Sequence, residues 1–175
     1  LEQAIAQGAD SYVQTLRDPE AVAACDAVGV GGHVEIQVGG KTDDLHGRPV
    51  SITGTVRVLS DGAFEDNRPL HAGWTFFDQG RCAVVDCESG QALLLVSTSI
   101  GNVSIEQYYS VGLRPEEFKI VVAKGVMSPR PAYEPIASEM ILVNSPGATS
   151  ADLTTFDYAH RRTPLYPFED QAKYE

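Results

Sequence analysis

Val34-Glu35-Ile36-Gln37-Val38 and, after a polar loop, Val50-Ser51-Ile52-Thr53-Gly54-Thr55-Val56-Arg57-Val58 carry the reading that decides the fold. Apolar side chains recur at every second residue through most of both runs. A β-strand sends alternate residues to opposite faces, so each run reads as a strand with one buried and one solvated face. The loop between them is Gly39-Gly40-Lys41-Thr42-Asp43-Asp44-Leu45-His46-Gly47, closed by Pro49. Two alternating runs joined by turn residues predict an antiparallel hairpin, with Gly54 at a bulge or a close backbone approach.

Upstream, Leu1, Ala4 and Ile5 form a helical stripe that ends near Gly8, and Tyr12, Val13 and Leu16 mark a short strand. Asp18-Pro19-Glu20 opens a helix. Aspartate accepts from the free N–H groups of the first turn, and proline at the first helical position loses only an N–H that would be unpaired there. Gly29 ends that helix.

Downstream, Ser60 to Arg68 is polar and turn-rich, which predicts a surface excursion. Trp74 to Phe77, Cys82 to Val85 and Leu93 to Val96 are apolar runs separated by Asp78-Gln79-Gly80 and Glu88-Ser89-Gly90, the pattern of a β-meander. Ile120-Val121-Val122 predicts a strand buried on both faces, and Met140 to Val143 a last buried strand. Prolines 129, 131 and 135 exclude a long helix there and leave a constrained loop with room for one helical turn. Together these elements predict one mixed α/β (α+β) domain over residues 1–175, a largely antiparallel or mixed sheet with short flanking helices.

The bulk numbers limit the partners. A net charge of −11 and a sequence pI near 4.7 argue against nucleic acid or an anionic membrane surface as partner, since either needs a basic face and the 13 Lys and Arg are spread thinly along the chain. Three cysteines, Cys25, Cys82 and Cys87, are odd in number and lack zinc-site spacing, so they read as reduced, packed thiols of a cytoplasmic protein. No apolar run approaches the ~20 residues that span a bilayer, and the N-terminus lacks a signal-peptide pattern. The sequence opens at Leu1 inside a helical segment, which leads us to expect a piece of a longer protein.

Several groups could carry chemistry. Gly40-Lys41-Thr42 looks like the end of a phosphate-binding loop, but the first glycine of that motif would fall at Glu35, and a strand follows where a helix is required. His46 with Asp43 and Asp44 could ligate a divalent cation only if His33 or His71 converged on it; the alternative is a solvated loop in which Asp43 caps its own turn. Lys124 follows a buried strand, where it could bind a carboxylate, act as a base, or bond strand-end carbonyls. Arg130, braced by prolines, could clamp a carboxylate or form an inter-domain ion pair. Ser97, Thr98 and Ser99 lack a nucleophile elbow and read as sheet-edge hydroxyls.

One ordered set of short motifs runs through the chain: Asp18-Pro-Glu-Ala-Val, Gly39-Gly-Lys-Thr-Asp with His46-Gly, Pro69-Leu-His71, Ser110-Val-Gly-Leu, Val122-Ala-Lys124-Gly, Arg130-Pro-Ala-Tyr-Glu-Pro and Arg162-Thr-Pro-Leu-Tyr-Pro. In this order it resembles the C-terminal domain of the microcystinase C-like metallopeptidases. The resemblance implies a two-domain hydrolase of peptides or other amides. Its catalytic zinc would belong to an N-terminal domain outside this sequence, and residues 1–175 would pack on that domain and help form the substrate cleft. It implies substrate contacts at Lys41, Thr42, Asp43, His46, His71, Lys124 and Arg130, with no catalytic residue, metal ligand or cofactor in this chain. At Ser128-Pro129 the chain departs from relatives that carry His-Phe there. The expected partners are the protein's own N-terminal domain and a small peptide or amide, with a second copy of the chain also open. The alternative class is a non-catalytic dimerisation or small-ligand-binding module.

Overall fold

A computed structural model describes residues 1–43, 47–70, 73–125, 127–145, 152–170 and 172. Two compact units emerge, Leu1–Ile141 and Leu142–Glu175. In the first, the elements run α1 (Glu2–Ala6), β1 (Tyr12–Arg17), α2 (Pro19–Val28), β2 (His33–Val38), β3 (Val50–Ser60), β4 (Ala63–Glu65), β5 (Phe76–Asp78), β6 (Cys82–Cys87), β7 (Gln91–Val96), α3 (Glu106–Tyr109), β8 (Ile120–Val122) and α4 (Arg130–Tyr133).

Six strands form one mixed sheet in the order β2-β3-β6-β7-β1-β8. The alternating runs at 34–38 and 50–58 pair antiparallel as expected, with Ile36 opposite Ile52. β1 is parallel to both β7 and β8, so these three strands share one direction. Gly54 stands where a Cβ would lie 2.4 Å from the Asp86 carbonyl oxygen, a close approach of neighbouring backbone that any side chain would block. The register between β3 and β6 shifts between Val56 and Val58.

Alternation along the strands fills both faces. Tyr12, Val85, Leu93 and Leu95 join Ala21, Val22 and Cys25 of α2 on one side. Val13, Val84 and Leu94 join Tyr108, Ala132 and Tyr133 on the other. Both faces are thus covered by helices. This is why β6 and β7 read as nearly continuous apolar runs, each fully buried leucine contributing roughly 1.5–3 kcal/mol. α2 forms because Asp18 accepts from Ala21 N–H at 3.0 Å and Pro19 takes the first turn, and Gly29 ends it at φ 78°.

Four expectations change. The 60–68 excursion contains β4, whose buried Phe64 stacks on Phe77 of β5 at 4.9 Å between ring centroids; three residues are too few to show a period. β5 pairs with β4 in a separate two-stranded sheet, so the meander begins only at β6. β8 is a sheet edge with Ile120 exposed, because an apolar run cannot by itself distinguish a central strand from an edge. Residues 140–143 form no strand, and Ile141, Leu142 and Val143 are exposed; a strand needs a ladder partner, which apolar composition does not supply.

The second unit is held by a bidentate ion pair, Arg161 donating to Glu169 at 2.6 and 2.9 Å, with the same guanidinium over the Phe168 ring at 4.4 Å. Its Thr163–Pro164 and Tyr166–Pro167 bonds are cis.

Candidate functional site

Parallel strands end at the same edge of a sheet, and open sheets with parallel strands commonly bind ligands beyond those ends. Here the edge gathers Ser97 after β7, Asp18 after β1 and Lys124 after β8. The hairpin loop reaches this edge too, because Gly39 N–H donates to the Asp18 carboxylate at 2.9 Å and Lys41 Nζ donates to it at 3.0 Å.

Lys41 and Thr42 line a recess of about 190 Å³ with Arg17, Asp18, Pro19, Glu20, Gly39 and Gly40. The lysine is not free there. It pairs with buried Asp18 at 2.9 Å and with Glu20 at 3.3 Å. Partial burial alone would lower its pKa, but hydrogen bonds and charge from Asp18 and Glu20 outweigh that and raise it, so the ammonium stays charged and engaged. Gly40 lies so near the backbone of Arg48 and Pro49 that a Cβ would come within 2.3 Å, which fixes the loop's two arms against each other. Asp43 is exposed and has a partner of its own. His46 and His71 lie outside the described residues.

Lys124 differs. Its side chain is exposed and makes no ion pair among the described residues, while its backbone N–H donates to Oδ1 of buried Asn102 at 2.9 Å. Arg130, the first residue of α4, pairs with Glu134 at 3.0 Å, both partly exposed. The structure therefore brings Lys41 and Thr42 to one recess, and sets Lys124 just after β8 and Arg130 at the start of α4. Of the three described cations expected to meet substrate, Lys124 alone is unpaired.

Sequence reasoning missed two buried constellations. Asp66, 3% exposed, accepts from Arg68 Nε and Nη2 at 2.8 and 2.6 Å and from Ser104 Oγ at 2.6 Å, tying the segment after β4 to the start of α3. Asn102, Gln107 and Gln79 form the other. In the sequence each resembles an ordinary turn residue; only the topology shows that it is buried.

Among the described residues no group of three or more His, Cys, Asp or Glu side chains could hold a metal ion, and no helix is long and apolar enough to cross a membrane. All three cysteines are free and buried.

Among known proteins, the model of the family described as MlrC C-terminus matches residues 1–160. The crystal structure of a candidate metallopeptidase from Mesorhizobium sp. BNC1 superposes with a TM-score of 0.79 at 24% identity, over 99% of this chain and 34% of that one. The chain thus spans about a third of that protein's length, and at this identity the likeness shows the shared fold. No curated protein matches the chain.

Proposed function

The chain belongs to the MlrC C-terminus family, and from that premise we propose that it is the C-terminal part of a zinc-dependent hydrolase of peptides or other amides, lining and closing the substrate cleft without being catalytic alone. The metallopeptidase assignment of the Mesorhizobium protein supports the reaction class. As the family resemblance implies, the metal would be held by the protein's own N-terminal domain, and no chemical step is assigned to a metal in this chain; among the described residues no group of three or more His, Cys, Asp or Glu could hold one.

The observation that carries the reading is the Lys124 ammonium just after β8, which makes no ion pair among the described residues. A compact cation on a fixed backbone suits a carboxylate or a polarised carbonyl oxygen of substrate. Lys41, held by Asp18, shapes the same edge and contributes less charge to it. In the intact protein, Lys124→Ala is expected to lower hydrolysis of an N-acyl dipeptide about tenfold while zinc content and folding are retained. Unchanged kinetics would remove the cleft-lining role. Tight stoichiometric zinc on residues 1–175 alone would refute the placement of the metal outside them.

A further inference from the structure

Asn102 is 4% exposed and sits at the head of a chain of buried amides. Its Oδ1 accepts from Lys124 N–H at 2.9 Å, and its Nδ2 donates to Gln107 Oε1 at 2.7 Å. Gln107 Nε2 then donates to Gln79 Oε1 at 3.2 Å, and Gln79 Nε2 reaches Cys82 Sγ at 3.8 Å. Gln107, Gln79 and Cys82 are all fully buried. Three buried amides are a costly way to fill space unless each is paired, and here each bonds to the next.

The chain also has a direction. A primary amide can turn over and exchange its donor and acceptor ends, but a backbone N–H can only donate. Lys124 N–H therefore requires an oxygen from Asn102, which turns the Asn102 NH₂ toward Gln107 and sets the polarity of every later link. Beyond Lys124 the backbone is constrained as well. Gly125 has φ 137°, and a Cβ there would lie 2.7 Å from Ser128 Oγ and 3.0 Å from Pro129 Cδ. Lys124 is thus held through its own N–H and followed by a position that only glycine fits, while its side chain is exposed.

We propose that Asn102 is a positioning residue for Lys124, and that the Asn102–Gln107–Gln79 chain exists to fix the backbone from which this cation projects. The proposal rests on the reading of Lys124 as a substrate contact. Asn102→Ala removes the acceptor. Asn102→Asp keeps it, because the amide chain can reverse: each glutamine turns over and the Cys82 thiol donates to Gln79 at the far end.

The test uses the intact protein and an N-acyl dipeptide as probe. Asn102→Ala is expected to speed hydrogen exchange at the Lys124 amide at least about tenfold. It should also raise KM about fivefold with kcat little changed. In a Lys124→Ala background the KM effect of Asn102→Ala should vanish, and Asn102→Asp should restore both readouts toward the parent values. Exchange at Lys124 that ignores Asn102→Ala would overturn the proposal. So would an equal KM rise in the Lys124→Ala background, which would mark a purely structural role. If Lys124→Ala alone leaves kinetics unchanged while exchange responds as expected, the substrate-contact reading falls and the positioning stands.

Discussion

Lys41 Nζ lies 2.9 Å from the carboxylate of Asp18, a residue only 2% exposed. One buried carboxylate thereby caps α2 through Ala21 N–H, holds the hairpin loop through Gly39 N–H and neutralises the loop's lysine. Asp18→Ala removes all three and is expected to cost about 2–3 kcal/mol, an N-cap plus charge-assisted hydrogen bonds. Lys41→Met leaves both N–H donors in place and should cost about 1 kcal/mol, since its ion pairs are partly solvated. Urea unfolding of the two variants measures this, and a larger loss for Lys41→Met would contradict the assignment.

Asp66 predicts an acid limb. Burial alone would raise its pKa, but hydrogen bonds from Arg68 and Ser104, with the charge of Arg68, outweigh it and bring the group from 3.8 to about 2. A carboxyl lowered in the folded state is more readily protonated in the unfolded one. Its stabilisation is present above the unfolded pKa and is lost as pH falls through the folded value. Arg68 is half exposed, so the contribution is about 1–2 kcal/mol, lost between roughly pH 4.5 and pH 2. Asp66→Asn should flatten that part of a stability-versus-pH curve. Identical acid slopes for parent and variant would refute it.

Leu142 and Val143 are exposed despite their apolar character. Leu142→Ser and Val143→Thr should each change the stability of residues 1–175 by under about 0.5 kcal/mol, against roughly 2–5 kcal/mol for Leu94→Ala in the core. Thermal unfolding distinguishes the two cases. A core-sized loss at either exposed position would restore the buried-strand reading.

These contrasts mark how far the sequence could be read. The β2–β3 pair, the start and end of α2 and the β6–β7 hairpin follow from periods of two, capping chemistry and turn residues acting over a few positions. The parallel pairing of β1 with β7 and β8 does not, because it joins Tyr12 to Gln91 and to Ile120 across long stretches of chain. The site divided in the same way. Lys124 was visible as a cation after an apolar run, but its lack of an ion pair among the described residues, and the capture of Lys41 by Asp18, depend on distances that only the folded sheet sets. Asn102 and Gln107 were invisible because a buried amide and a surface amide have the same letter.

The buried cysteines give the protein a way to report on its own opening. Burial pushes the Cys25 and Cys87 thiols up to about 11, with a smaller push from the neighbouring Asp26 and Asp86 charges, and it raises Cys82 too. Near neutral pH these groups offer almost no thiolate and no access, so an alkylating reagent can reach them only in molecules that have already come apart. Cys25 and Cys87 belong to the cluster beneath α2, and Cys82 to the cluster on the opposite face. Labelling rates resolved by peptide mass would therefore time the loosening of each face separately, and a common rate would identify the sheet and both its coverings as a single cooperative unit.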